Sequence, residues 1–476
     1  MGLQTFIYFK ISFYMFQKLV LMGHVLLCCS LFSYGQESHV PIKLNQLLSS
    51  VTQHAPSLRT DYVRTKVQQA RAAEAKNNRL PSLQLSYQAD VGSNNNVPGP
   101  YFGFGLVPTN NGGIRPNNNY QAVSSNLGIA AFQWEVYNFG QFNAQDQLAQ
   151  AEVTVENRRF EQSKYDLQSF TIYSYLQLLK LHDLIGIQSR SIARNQEIRQ
   201  SIFALVKSGI RAGVDTSMAD AEISRSQLGL IELDNQQQQL RIQLATLAGM
   251  SPAQIVADTT AEKILFEQVK NAPIELDGGR QHPMIAYYNA LFDKTKMEEK
   301  LVANSYRPKL FLSGAVWGRA SSVHSDNSYG SLADGFGLQR GNYLVGLGIN
   351  YNLFDLRRKK VKLNTQRLRV DEAGQKLQEQ QANIAMNIAQ SATEVATAER
   401  RLKEIPRQTK AANAAYRQKF SLYKNGLIDI VEVNVAQNML NQAERDYITA
   451  KYNYYLALFH QVVAQNNVDG FLQLFN

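Results

Sequence analysis

The side chains that could perform catalysis or hold a metal ion form no recognisable motif in this chain. The seven histidines are scattered, and none belongs to an HExxH motif or another ligand spacing. Serine and aspartate are plentiful, but no nucleophile elbow is present. The Gly-x-Gly pairs that begin at Gly103 and Gly346 lack the third glycine and the helix of a phosphate-binding loop. The sequence therefore predicts a protein that is not an enzyme and that uses no cofactor or metal.

The first 35 residues are typical of an export signal. Lys18 precedes a mostly apolar run, Leu19 to Phe32, and Ser33-Tyr34-Gly35 supplies the small residues that a signal peptidase requires. The run is shorter than the about 20 residues of a membrane-spanning helix. We therefore predict a signal peptide at residues 1–35. Because Cys28 and Cys29 are the two cysteines of the chain, its removal leaves no thiol for a disulfide, a metal ligand or a nucleophile.

The composition of the whole chain excludes several classes of protein. Of the 476 residues, 44% are hydrophobic and 18% are charged, which argues against a disordered chain and against a bundle of membrane-spanning helices. The formal net charge is +10, but the basic residues are scattered, apart from the block Arg357-Arg358-Lys359-Lys360. We interpret this charge as solvated helix surfaces with one cluster near a membrane, and we predict no nucleic-acid partner.

The elements that must position any functional residue occur twice. Pro56 and Pro81 reappear 227 residues later as Pro283 and Pro308, and two longer motifs reappear after 217 residues. The motifs are Trp134-Glu135-Val136-Tyr137-Asn138, matched by Tyr351-Asn352-Leu353-Phe354-Asp355, and Leu205-Val206-Lys207-Ser208-Gly209, matched by Leu422-Tyr423-Lys424-Asn425-Gly426. The sequence therefore predicts one structural unit that is built twice.

Each copy is predicted to contain a helix, two strands, a very long helix and a return helix. The first copy, residues 36–250, has strands at about 82–90 and 121–134, a long helix at 141–208 and a return helix at 215–248. The second copy, residues 283–476, has strands at about 309–318 and 342–352, a long helix at 356–425 and a return helix at 429–463. Residues 251–282 form an equatorial segment between them. At about 1.5 Å per residue, each long helix would reach roughly 100 Å.

Apolar residues alternate with polar ones in the predicted strands. Three sets each share a face, namely Leu127, Ile129 and Ala131; Leu310, Leu312 and Val316; and Tyr343, Val345, Leu347, Ile349 and Tyr351. Tilted strands of about 10 residues can cross a bilayer, but four strands cannot close a barrel, so we expect several chains to share one. Aromatic residues near the strand ends suit a membrane-interface girdle better than a soluble core: Trp134, Tyr137, Trp317, Tyr343, Tyr351 and Phe354.

The return helices carry a seven-residue repeat. In the second copy, the first set of repeating positions is Val433, Leu440, Tyr447 and Tyr454, and the second set is Ala436, Ala443, Ala450 and Ala457. A strict seven-residue spacing predicts a left-handed coiled-coil pair, and the alanines allow the two helices to approach closely.

The order and duplication of these motifs resemble the TolC-type outer-membrane efflux proteins along nearly the whole mature chain. Matching motifs are Pro81-x-Leu83-x-Leu85 and Pro308-x-Leu310-x-Leu312 where strands begin, the Trp134 and Tyr351 motifs where strands end, and Tyr423-Lys424-Asn425-Gly426 at the helical tip. The resemblance implies a mainly α protein whose homotrimer forms a 12-stranded membrane β-barrel and a long α-helical barrel in the periplasm.

The same resemblance implies a function and partners. A protein of this family is a passive outer-membrane channel that carries substrates, small molecules and drugs first among them, from an inner-membrane transporter and a periplasmic adaptor to the exterior. The alternative is a soluble periplasmic coiled-coil scaffold or adaptor. Adaptors generally have one helical hairpin, whereas this chain has two that each follow a pair of strands. We therefore predict a channel in outer-membrane lipid, whose cargo and pump class stay open.

Functional residues also follow from the resemblance. Tyr423 lies where family members constrict the tunnel, and Asp215 and Glu432 each lie six residues beyond a tip glycine, which makes all three candidates for the pore gate. Asp215 could instead cap its return helix. An arginine that some members place after the second tip glycine is replaced here by Ile428, which argues against a salt-bridged gate. The adaptor would dock at the tip turns, which contain Gly209, Gly213 and Gly426.

Overall fold

The computed structural model describes residues 41–95, 117–260 and 281–473. The predicted signal peptide and residues 261–280 of the predicted equatorial segment lie outside the described residues. The first copy comprises α1 (Leu44–His54), α2 (Pro56–Asn77), β1 (Ser82–Gly92), β2 (Val123–Tyr137), α3 (Gln141–Lys207) and α4 (Val214–Ala248). The second comprises α5 (Pro283–Ser305), β3 (Lys309–Ser321), β4 (Arg340–Asn350), α6 (Asp355–Lys424), α7 (Ile430–Ala464) and the short α8 (Val468–Gln473).

The two long helices, α3 and α6, contain 67 and 70 residues, and each is therefore roughly 100 Å long. Shorter helices stack in pairs beside them, α2 and α4 in the first copy and α5 and α7 in the second. Pro56 and Pro283 each occupy the first turn of a helix, where a missing N–H costs no hydrogen bond. Among the described helices, none combines the length and the apolar character that a membrane-spanning helix requires.

The four strands form one antiparallel sheet in the order β1-β2-β3-β4. The pairing of β2 with β3 joins the two copies, and β1 and β4 are the edges. β2 runs three residues beyond its predicted end, so the motif at Trp134 belongs to the strand rather than following it. A shift of register between Glu135 and Tyr137 accommodates one extra residue there.

The register divides the sheet into an apolar face and a polar face. The apolar face carries Leu83, Leu85, Tyr87, Ala130, Phe132, Leu312, Val316, Tyr343, Val345, Leu347 and Ile349. The set predicted for β2 lies on the other face, because Ile129 pairs with Ser86 and Leu127 with Gln88. β2 is a central strand whose side chains are mostly half-buried, so alternation within it does not reveal which side faces outward.

The long helix α3 contacts α2, α4, α5 and α7, whereas α6 packs against α5 and α7. The larger core lies midway along α3, where Ile172, Tyr175 and Leu179 are buried against α1, α4 and α7. The Tyr175 hydroxyl donates to the carbonyl of Ile42 at 3.1 Å, which anchors the segment that leads into α1. The repeat in α7 packs as a seam, because Val433, Leu440 and all four alanines are buried, whereas Tyr447 and Tyr454 are partly buried.

Candidate functional site

Glycine turns reverse the chain at the tip of both helical hairpins. Gly209 and Gly426 have φ values of +75° and +76°, in the left-handed region that glycine adopts readily after a helix. In both turns the residue after the glycine donates its backbone N–H to the carbonyl five residues earlier, as in a Schellman motif. These bonds are Ile210 to Leu205 at 2.9 Å and Leu427 to Leu422 at 3.0 Å. Gly213 has a φ of −60° and is the N-cap residue of α4. Its backbone conformation therefore does not require glycine.

Tyr423 of α6 is fully buried at this tip, between the two copies. Its hydroxyl donates to Asp215 Oδ2 at 3.3 Å, and Asp215 is only 7% exposed. Burial, the Asp215 carboxylate and this hydrogen bond raise the pKa of Tyr423 to about 12. The hydroxyl therefore stays protonated at neutral pH and can donate to the carboxylate. Because Asp215 follows the N-cap Gly213 and forms no capping hydrogen bond, the predicted capping role is wrong.

Arg211 completes this contact, although the sequence analysis did not single it out. Its guanidinium lies 5.0 Å from the centre of the Tyr423 ring, within the range of a cation–π interaction. The Arg211 Nη2 also donates to the carbonyl of Ile428, in the opposite tip turn. The available signal was its position two residues after the first tip glycine, the place that Ile428 occupies after the second.

Glu432 lies apart from the Tyr423–Asp215 contact. Its carboxylate forms an ion pair with Lys419, which joins α6 to α7 within the second hairpin. Both side chains are partly exposed, at 53% and 41%, so this ion pair contributes little to stability. Of the three predicted gate residues, the structure therefore brings together Tyr423 and Asp215.

Farther from the tip, buried polar side chains join α3 to α7. Arg194 donates to Glu444 Oε2 and to Asn441 Oδ1, both at 2.7 Å. Beside it, buried Asn195 donates to Ser226 Oγ at 2.8 Å and accepts from Gln437. These bonds connect elements of both copies and fix their register. No spacing in the sequence identifies this cluster, because its residues come from three different helices.

The predicted girdle residues divide between the two ends of the sheet. Trp134 and Tyr137 lie in β2 at the end nearest the helices, and Tyr351 and Phe354 follow β4 at that same end. The Trp134 indole N–H donates to the Arg79 carbonyl at 2.8 Å. Tyr343 lies toward the far end of the sheet, on the apolar face.

Trp317 differs from the other aromatics in this set. It pairs with Ile129 and Asn342, and it therefore lies on the polar face, opposite the exposed apolar side chains. Residue type and nearness to a strand end predicted a girdle position for Trp317. These two features do not reveal the strand register, and therefore do not reveal the face of the sheet on which the side chain lies. Tyr87 is a further aromatic residue of the apolar face, which the motifs did not indicate; it is 64% exposed and lies on β1, at the same end of the sheet as Tyr343.

The sequence of this chain matches the outer membrane efflux protein family over residues 47–250 and 307–459. No curated protein matches it significantly. The fold is similar to the outer-membrane channel OprN (20% identity, TM-score 0.67, 89% of this chain and 90% of that one). It is also similar to VceC of Vibrio cholerae (17%, 0.68, 89% and 95%) and to CmeC of Campylobacter jejuni (14%, 0.67, 92% and 90%).

Proposed function

Because this chain belongs to the outer membrane efflux protein family, it is an efflux channel of the outer membrane, and we propose that it works as a homotrimer. The helices lie in the periplasm and the sheet in the membrane. The family comprises transport conduits rather than enzymes, and membership implies association with a periplasmic adaptor and an inner-membrane pump.

One observation carries the trimer: the sheet has four strands and two unpaired edges. All residues of β1 and β4 are exposed, including Leu85 at 77% and Val345 at 73%. An open edge in lipid leaves backbone N–H and C=O groups without partners, at a cost of several kcal/mol each. Pairing β4 of one chain with β1 of the next removes every edge when three chains close a barrel of 12 strands.

The helical tips are the proposed adaptor-docking surface. Ile210, Val214 and Leu427 are 62%, 61% and 70% exposed around the glycine turns. An apolar patch at the end of a long helical bundle favours contact with another protein. The turn glycines Gly209 and Gly426 hold this patch in shape, whereas Gly213 contributes only by its position at the start of α4.

The gate of the proposed channel is the contact among Tyr423, Asp215 and Arg211. It ties the tip of one hairpin to the other within the same chain, so opening requires a buried hydrogen bond to break. Leaving such a group unsatisfied costs about 1–3 kcal/mol. Glu432 acts through its ion pair with Lys419, on the more exposed side of the second hairpin.

The proposed cargo consists of small molecules, drugs among them, which the pump delivers into the tunnel. Identification of the pump that co-purifies with the tagged chain tests this assignment. A drug transporter is the expected result, whereas a dedicated polypeptide or metal-ion exporter contradicts it.

Fractionation of cells that express the chain tests membrane assembly. We expect the protein to require detergent for extraction and to migrate as an oligomer that dissociates on heating. Release by osmotic shock as a soluble monomer contradicts the proposal.

A further inference from the structure

Two arginines face each other at the end of the sheet farthest from the helices. Arg319 of β3 pairs with Arg340 of β4 in the last row of their ladder. Directly opposite residues point to the same face with Cβ atoms about 5 Å apart, and like charges there destabilise a sheet. Both side chains are exposed. Neither guanidinium forms an ion pair with a carboxylate of the described residues.

The pair lies on the polar face of the sheet. The residues paired with it across the sheet are Leu127 of β2 and Gln88 of β1. The next set of paired residues on the same face, toward the helices, includes Trp317 and Asn342. The opposite face carries the exposed leucine, valine and isoleucine side chains that suit lipid. In the proposed trimer, on which this inference rests, the polar face lines the channel. Each subunit then contributes two arginines at the outer mouth.

Nearby carboxylates do not compensate this charge. On the polar face, β1 places Asp90 one row farther out, where it accepts a hydrogen bond from Gln88 at 2.8 Å. Residues 93–122, which connect β1 to β2, include no aspartate or glutamate. Two arginines therefore outnumber the one carboxylate of the described strand residues at this end of the polar face.

The loop between β3 and β4 contains two more acids, Asp326 and Asp334. The loop is fixed to the apolar face, because Ser124 Oγ donates to the Leu332 carbonyl at 2.5 Å and Asn126 Nδ2 to the Gly337 carbonyl at 2.8 Å. Within the loop, Asp334 accepts from a backbone N–H. Asp334 thus lies across the sheet from the arginine pair, and Asp326 accepts hydrogen bonds from the N–H and the hydroxyl of Ser328.

We propose that Arg319 and Arg340 form an anion-attracting ring at the outer mouth, which makes the channel select anions over cations there. Uncompensated charges of one sign that line a narrow opening raise the local concentration of counter-ions. The effect depends on ionic strength, because the Debye length falls from about 10 Å at 0.1 M salt to about 3 Å at 1 M. The preference should therefore be strong in dilute salt and weak in concentrated salt.

Reversal potentials of single channels in a potassium chloride gradient test this assignment. For Arg319→Gln/Arg340→Gln, we expect the chloride-to-potassium permeability ratio at about 0.1 M salt to fall roughly threefold or more. Arg319→Lys/Arg340→Lys keeps the charge and should keep the ratio. Asp90→Asn, a matched change of opposite sign at the same end, should raise the ratio.

Two results would overturn the inference. One is an unchanged permeability ratio in the glutamine variant. The other is an equal loss in the lysine variant, which would mean that the guanidinium acts through its shape and contacts rather than its charge. Absence of any conductance from the wild type would instead contradict the channel itself, and the inference with it.

Stability supplies a second, independent readout. Because like charges face each other across the strands, removal of both should leave the dissociation temperature of the trimer unchanged or raised. A lower temperature for the glutamine variant would show that the guanidinium groups have stabilising partners, and would contradict the uncompensated charge on which the inference rests.

Discussion

A single tyrosine hydroxyl carries much of the contact between the two copies at the tip. Tyr423 is fully buried and contacts the Asp215 carboxylate and the Arg211 guanidinium, both from the other copy. Its high pKa, about 12, keeps it a donor throughout the physiological pH range. Folding favours the neutral hydroxyl of Tyr423 over its ionised form. The contribution of this hydroxyl to the stability of the folded protein is therefore complete below about pH 10, and it is lost as the pH rises through 12.

Removal of the two carboxylates predicted for the gate, Asp215 and Glu432, should open the channel. In Asp215→Ala/Glu432→Ala, the buried hydroxyl of Tyr423 loses its acceptor and Lys419 loses its ion-pair partner. We expect a higher single-channel conductance or a higher open probability in planar bilayers.

Asp220→Ala is the matched control, since Asp220 also lies in α4 but forms an exposed surface pair with Arg199. That variant should conduct like the wild type, because exposed ion pairs contribute about 0–1 kcal/mol. Equal conductance for the double variant and the wild type would remove Asp215 and Glu432 from the gate.

At the scale of elements, the glycine turns are where backbone conformation limits the sequence. Alanine at position 426 must adopt a φ of +76°, which costs roughly 1–2 kcal/mol, although no atom lies close enough to clash. We expect Gly426→Ala to increase hydrogen exchange at the tip and to weaken adaptor binding. Gly213→Ala should have neither effect, because its φ is already −60°. Similar behaviour of the two variants would contradict the assigned turn geometry.

The sheet faces can be tested with neighbouring residues of one strand. Val345 lies on the apolar face of β4 and Leu344 on the polar face, and both are exposed. Val345→Arg places a charge toward lipid, at a cost of about 2–4 kcal/mol near the bilayer centre. We expect fewer heat-sensitive oligomers in the outer-membrane fraction for this variant.

Leu344→Arg should assemble normally, because its charge would face the aqueous channel. If the two variants exchange these phenotypes, the assignment of the faces is reversed.

Elements with a strong local signal could be predicted from the sequence, and long-range contacts could not. The long helices follow from long runs of helix-forming residues, which Gly186 in α3 and Pro406 in α6 do not end, and the structure places the helix ends within one residue of the predicted positions. The face of Leu127, Ile129 and Ala131 depends on pairing with β1, which alternation alone does not specify. Arg211 was missed because its partners, Tyr423 and Ile428, are more than 200 residues away along the chain.

For the whole molecule, duplication explains why one chain supplies only part of a channel. Each copy contributes two strands and one helical hairpin, and pairing of β2 with β3 joins the copies into one sheet. In the proposed trimer, the edges β1 and β4 pair with other chains, and the outer surfaces of the helices face them. Leu228 and Ile231 of α4 and Leu368 of α6 are 61–65% exposed and are available for such contacts.

Native mass measurement of the detergent-extracted mature protein, followed by conductance recording of the same sample, tests this account most directly. The account predicts a mass of three chains and discrete channel openings. A species of one chain that is soluble without detergent and forms no pores would contradict it.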